Sequence, residues 1–364
     1  MKTAADQIRA EIAERGAIPF ERFMQLALYC PDCGYYEKEK DTTGHRGDFY
    51  TSVSVGSLFG ELLAFQFSEW LEAEAKNQKS EVRIVEAGAH DGKLALDILN
   101  WLRLRRPKVF EQIEYWLIEP SARRQGWQRK TLDELGAKVR WFADLKSIPP
   151  GTIRGVIFSN ELLDAMPVQR LGWDAKRREW FEWGVTADQG RFIWTRLPGA
   201  NQDPDWEVVP PAALLKELPD GFTMESSPAA ANWWKEAAQL LKRGKLLTLD
   251  YGLDAGDFIS PQRVAGTLRA YHRHRLVDDV LANPGEQDLT AHVNFSLLKL
   301  LGERAGLSTE VDQSQAQFLT GIAQRVWKEG SDFGAWTSQH TRQFQTLTHP
   351  EHLGRAFRAL VQSR

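Results

Sequence analysis

The stretch VEAGAHDGKL, Val85 to Leu94, constrains this 364-residue chain more than any other. It follows the apolar run VRIV and opens a stretch with helical spacing, KLALDIL. A strand that turns into a helix through glycines is where nucleoside cofactors rest in open α/β sheets. Gly88 and Gly92 stand where a side chain would hold a ligand off the backbone. Glu86, two residues before the first glycine, separates this turn from a dinucleotide fingerprint. A pyrophosphate calls for several glycines and no carboxylate there, whereas an ammonium group can be held by one, directly or through water. The turn therefore predicts S-adenosylmethionine (SAM) as cofactor rather than NAD.

Strands and helices alternate around it. EVRIVEAG, EYWLIEP, KVRWFA and RGVIFSN read as strands separated by helical stretches, the pattern of a doubly wound parallel sheet. Before them come two helical patterns, residues 5–15 and PFERFMQLALY. A loop from Pro31 to Ser57 follows, of a length that usually signals function, and then a long helix from Leu58. The alternation breaks at Pro167. Beyond it lie short Trp-rich pieces that read as an inserted antiparallel hairpin or lid, carrying Trp173, Trp180, Trp183 and Trp194. These rings suit either a partner surface or packing. Helix SPAAANWWKEAAQLLKR and strand GKLLTLDYG resume the pattern, and helix SLLKLLGERAG, strand STEVD and terminal helices complete it. The expected layout is a helical extension with a cofactor-covering loop (1–80), the first part of the SAM-binding core (81–167), a strand-rich substrate or lid region (168–224) and the rest of the core (225–364).

Two more acids stand at strand ends. Glu119 closes the second strand, where a carboxylate can accept from both ribose hydroxyls, a role NAD would share. Asp144 follows the third and is placed to bond the adenine amino group. Each alone reads as a surface cap. Three at successive strand ends, on the ligand-binding edge of an open sheet, point to function.

The bulk numbers exclude other classes. A net charge of -3 attracts neither nucleic acid nor anionic lipid along the chain. No stretch approaches the ~20 apolar residues of a membrane span, and the N-terminus reads as neither signal nor transit peptide, so a cytoplasmic protein is expected. With only Cys30 and Cys33 there is no disulfide framework, and without further cysteines or a thioredoxin-type helix the pair reads as ordinary packing. No cluster has metal-ligand spacing.

IPFERFMQLALYCPDCGYY, GDFYTSVSVGSLFGELLA, VEAGAHDGKLALDIL, SNELLDAMPV, ESSPAAANWW, LLTLDYG and GTLRAYHRHRLVDDVLANPGEQDLTAHVNF follow one another along the chain. In this order they resemble the MidA-like SAM-dependent methyltransferases, whose mitochondrial member is a protein arginine methyltransferase acting in respiratory complex I assembly. The resemblance implies a Rossmann-like class I methyltransferase fold, α/β with a seven-stranded mixed sheet, an N-terminal helical extension and an inserted antiparallel substrate region. It implies SAM binding by Glu86, Gly88, Glu119, Asp144 and Asn160, with Gly92 in the same turn. The segment carrying Gly47, Asp48, Tyr50 and Thr51 would fold over the cofactor. Two departures stand out. The family's turn is usually E-x-G-x-G-x-G, and His90 occupies the middle glycine, where its ring could crowd the methionine end. The cysteine pair sits where the family commonly has His and other residues.

Methyl transfer to a guanidinium calls for acids beyond those holding the cofactor, to orient one nitrogen and localise charge on the others. Glu161 and Asp164, three apart after the fourth strand, are candidates, as is Glu225 before a helix that Ser226 or Ser227 would cap. Tyr271 to Arg275 form a polar cluster, with His292 and Asn294 as further cleft candidates. The expected function is methyl transfer to arginine of a protein substrate. The alternative is a SAM-binding assembly factor with little or no transfer, which His90 favours.

Overall fold

The computed structural model describes residues 2–38, 51–75, 82–197, 212–272, 275–328, 332–350, 353–354 and 356–364. The chain forms two compact units, Met1–Phe49, Leu163–Asn232 and Gly252–Leu298 in the first, and Tyr50–Leu162, Trp233–Tyr251 and Lys299–Arg364 in the second. The N-terminal helices thus share a unit with the insertion and with residues 252–298.

The second unit is built on seven strands: β1 (Val82–Ala87), β2 (Ile113–Ile118), β3 (Val139–Phe142), β4 (Ile153–Asn160), β5 (Leu241–Leu253), β6 (Ser308–Ser314) and β7 (Phe357–Ser363). Their order is β6-β7-β5-β4-β1-β2-β3. The first five run parallel, with Val85 opposite Ile157 and Trp116, while β7 is antiparallel to both β5 and β6. Strands covered on both faces become continuous apolar runs, and that is how β1, β2 and β4 read in the sequence. Ile84, Phe158 and Leu247 are fully buried among Phe67, Leu99 and Phe318 of the flanking helices. The chain does not end on helices, as the sequence pattern suggests. After helices Gln315–Val326 and Ser338–Thr348 it returns as β7. FRALVQS is short and buried almost throughout, so its periodicity cannot tell strand from helix.

The insertion of the first unit is the expected antiparallel sheet, made of Gln169–Asp174, Glu179–Asp188, Arg191–Arg196 and Thr223–Ser226, with Ile18–Pro19 at its edge. A three-stranded sheet of Arg269–His272, Arg275–Val277 and Asp288–Thr290 accompanies it. The tryptophans of the insertion pack. Trp173 and Trp180 are buried in one apolar cluster. Trp194 lies 5.0 Å from Phe20, and Trp183 stands edge-on to Phe181.

Cys30 and Cys33 are joined in a disulfide, which corrects the reading of two cysteines that merely pack. Helix Phe20–Tyr29 ends there, and Cys33 and Gly34 both donate backbone N–H groups to the Cys30 carbonyl. That turn brings the two Cα atoms to 5.4 Å, within disulfide range, a placement that spacing alone does not disclose. Among the described residues, no helix is long and apolar enough to cross a membrane.

Candidate functional site

The turn after β1 alternates left-handed residues: Gly88 at φ 76°, His90 at 47° and Gly92 at 87°. A Cβ on Gly88 would lie 2.8 Å from Leu162 Cδ1, so the left-handed backbone favours glycine here and the Leu162 side chain would have to shift for any other residue. Gly92 then caps helix Lys93–Arg105. His90 holds a conformation that non-glycine residues seldom adopt, and its ring lies 6.2 Å from that of Trp127. Three alternate positions, with histidine in the middle, thus share the left-handed region.

Glu86 is buried and accepts a 2.6 Å hydrogen bond from the Tyr115 hydroxyl of β2. Burial pushes its carboxyl up to about 8, against the opposing pull of Tyr115. At neutral pH it is mostly the protonated acid, and a cation beside it would turn it into a carboxylate. Glu119 is also buried. Its Oε1 accepts from the Ser121 backbone at 2.9 Å and pairs with Arg124 at 3.2 Å, and its Oε2 accepts from Gln128. Gln128 is the hub of this edge: the same Nε2 donates to the His90 carbonyl at 3.0 Å, and Oε1 accepts from Trp141 Nε1. Asp144 is exposed and accepts from the backbone and hydroxyl of Ser147, capping a short 3-10 turn.

At the end of β4, Glu161 sits at φ 50° and accepts from Asn160 Nδ2 and from the Ser52 backbone. The Ser52 hydroxyl donates to Gln315, and Leu162 N–H donates to the buried Asp250 of β5. Thr51 and Ser54 bond each other reciprocally. These contacts bring Thr51 and Ser52 to the end of β4. Gly47, Asp48 and Tyr50 lie outside the described residues. Asn160 Oδ1 is buried and accepts no hydrogen bond from the described residues. Because Ser159 pairs with Ala87, that oxygen belongs to the same strand-end layer as Gly88.

The first unit holds its own acids. Tyr36 donates to Asp288 Oδ1 at 2.7 Å. Burial first, then the charges of Asp288 and Asp164, hold the Tyr36 phenol well above its ordinary range. Both aspartates are buried, and both also act on Tyr271. Elsewhere Glu225 Oε2 accepts from the Thr267 backbone and hydroxyl, while Oε1 faces Arg170 at 3.4 Å. Ser227 caps the following helix through Ala230 N. Glu225, His292 and Asn294 line one cavity. In the 271–275 cluster, His272 Nδ1 contacts the Glu286 carbonyl, and residues 273 and 274 lie outside the described set.

Sequence reasoning missed Tyr115, Gln128, Asp250, Tyr36 and Asp288. Tyr115 looks like one more apolar strand residue and Gln128 like a solvated helix position. Only strand register and long-range packing give them roles.

Residues 62–313 match a family model described as "Putative S-adenosyl-L-methionine-dependent methyltransferase". A mitochondrial protein arginine methyltransferase NDUFAF7 homolog of Drosophila melanogaster is 28% identical, covering 83% of this chain and 70% of that protein. The rat protein arginine methyltransferase NDUFAF7 is also 28% identical, covering 95% of this chain and 81% of the relative. A crystal structure of a COG1565 superfamily member from Burkholderia thailandensis, bound to S-adenosyl-homocysteine, superposes with a TM-score of 0.84. It is 33% identical, covering 99% of this chain and 92% of that one. The residues of the second unit fit the cofactor. Asn160 Oδ1 is a buried acceptor with no donor among the described residues, which an ammonium would supply.

Proposed function

Because the chain belongs to this SAM-dependent methyltransferase family, we propose that it methylates an arginine side chain of a protein substrate. The observation that carries the finer reading is the acidic, aromatic cluster of the first unit. Asp164 and Asp288 are buried with their charges bearing on Tyr36 and Tyr271. A guanidinium is recognised by carboxylates that take its N–H groups and by aromatic faces. The names of the Drosophila and rat relatives agree with that chemistry.

In the second unit, Glu86 and Asn160 would hold the SAM ammonium, Glu119 the ribose, and Asp144 the adenine edge. SAM supplies a methyl group activated on a sulfonium. Asp164 accepts guanidinium N–H bonds, which orients one nitrogen and draws charge onto the others. Tyr36 stays protonated and keeps the Asp288 carboxylate aimed. Glu161 acts as a positioning residue through Ser52. Glu225 suits a guanidinium clamp poorly, because Arg170 already balances its charge.

A second reading, a SAM-binding assembly protein with little transfer, draws on His90, which holds the middle of the turn at φ 47° with its ring 6.2 Å from that of Trp127. Labelled-methyl transfer by the purified protein into a lysate, followed by amino-acid analysis of the labelled protein, decides between them. Label in methylarginine, lost in Gly88→Val and in Asp164→Asn with folding intact, supports arginine transfer. Label in any other residue overturns it, and SAM binding without label supports the assembly reading.

A further inference from the structure

A cavity of about 60 Å³ lies wholly within the first unit, with Glu225, His292 and Asn294 beside Leu163, Phe258 and Ala231. Two of its polar atoms, Glu225 Oε1 and His292 Nδ1, are buried and have no hydrogen-bond partner among the described residues. Glu225 is only 7% exposed. Thr267 fixes both groups, because its hydroxyl donates to Glu225 Oε2 and accepts from the His292 backbone N–H. The close seat of Glu225 depends on Gly266, where a Cβ would fall 2.3 Å from Oε1. Ser227 is engaged in capping and in a bond to the Pro167 carbonyl.

Charge decides what such a cavity accepts. The Glu225 carboxylate is balanced by Arg170, whose own guanidinium is held over the Trp194 ring and by the Ala265 carbonyl. Burial, with Arg269 and Arg263 nearby, lowers His292 to about 4 and keeps it neutral. A cationic guest would compete with Arg170 for one carboxylate and face two further arginines. An anionic guest would meet the Glu225 carboxylate at its Oε1. A neutral guest that brings an N–H for Oε1 and an acceptor for a neutral Nδ1–H meets neither penalty.

We propose that this cavity is a recognition site for a primary carboxamide, as carried by glutamine or asparagine side chains, and excludes guanidinium. The amide donates to Glu225 Oε1 and accepts from His292 Nδ1–H, and its methylenes lie against Leu163 and Phe258. The pocket therefore reads a different group from the methyl acceptor proposed above, and stands or falls independently of it.

The test is titration of the full chain, saturated with S-adenosyl-homocysteine and carrying ¹⁵N-histidine, with four probes. These are N-acetyl-glutamine N-methylamide, its arginine and glutamate counterparts, and free L-glutamine. The blocked glutamine should bind saturably and move the His292 Nδ1 resonance, with the arginine and glutamate probes at least about tenfold weaker. Ala231→Leu, which fills the cavity and leaves the Glu225–Arg170 pair intact, should abolish that shift without changing the melting temperature. Free glutamine binding as tightly as the blocked form would assign the site to a small metabolite, and weaker binding to a polypeptide side chain. A His292 signal that none of the probes moves, equal response to all charges, or unchanged binding in Ala231→Leu would overturn the proposal and leave ordered water as the occupant.

Discussion

Two buried glutamates, one in each unit, meet the same problem in opposite ways. Glu86 of the second unit has a tyrosine hydroxyl and, among the described residues, no basic side chain bonded to it, and burial leaves it largely protonated. Glu225 of the first unit is paired with Arg170 and cradled by Thr267. An uncharged acid can respond to an arriving cation by losing its proton, whereas a carboxylate already balanced has little left to offer one. Burial therefore does not identify a cation site until the partner is named.

The sharpest way to break this comparison is to remove one member of each buried ion pair. Glu119→Ala leaves Arg124 buried without its carboxylate and should cost about 3–5 kcal/mol of stability together with SAM binding. Arg170→Ala leaves Glu225 uncompensated and should cost somewhat less, about 3 kcal/mol, because protonation can relieve it. SAM affinity should be unchanged in Arg170→Ala. Urea unfolding paired with calorimetric titration separates the two, and loss of SAM binding in both would erase the distinction.

A smaller effect lies in pH. If Glu86 must ionise to hold the ammonium, SAM affinity should climb by up to about tenfold per unit as pH rises toward 8. Glu86→Gln should flatten that slope. Stability moves the other way. The raised Glu86 value favours the fold fully below its unfolded value near 4.5, and that contribution is lost as pH rises through about 8. His292, lowered to about 4 from 6.5, contributes fully above 6.5, and its contribution is lost as pH falls toward 4. His292→Gln should therefore remove part of the acid limb of a stability profile, and Glu86→Gln part of the basic limb.

The smallest expected change is His90→Gly. It relieves a left-handed histidine but loosens the unfolded chain, so stability should stay within about 1 kcal/mol. SAM affinity should rise a few-fold if the ring crowds the methionine end, and a calorimetric Kd equal to that of the parent protein would clear His90 of that charge.

The second unit was largely legible in the sequence, because a parallel sheet gathers strand ends along one edge. The strand ends that carry Glu86 and Glu119 could be located from the apolar runs preceding them, and Asn160 came only with the family resemblance. Asp144 could be located too, but the structure shows it capping a turn with Ser147. What could not be read were the residues that orient these groups. Gln128 joins the His90 carbonyl, Glu119 and Trp141, and nothing in GWQRK marks it as a fully buried hub. The first unit was harder. Tyr36, Asp164 and Asp288 come from three distant stretches, and antiparallel pieces give no rule for which side chains will meet. The insertion could be recognised as strand-rich, but its partnership with the N-terminal helices could not. The cysteine spacing fitted packing and bonding alike.

The placement of β7 between β5 and β6 bears on how the chain is made. Both neighbours leave the ribosome before it, so each carries an open strand edge until residues 357–363 emerge. During that interval the nascent chain offers two templates for wrong pairing, and a stretch from another copy could occupy either one. Production of this protein should therefore be most sensitive to slow elongation or scarce chaperones in the interval before residues 357–363 emerge.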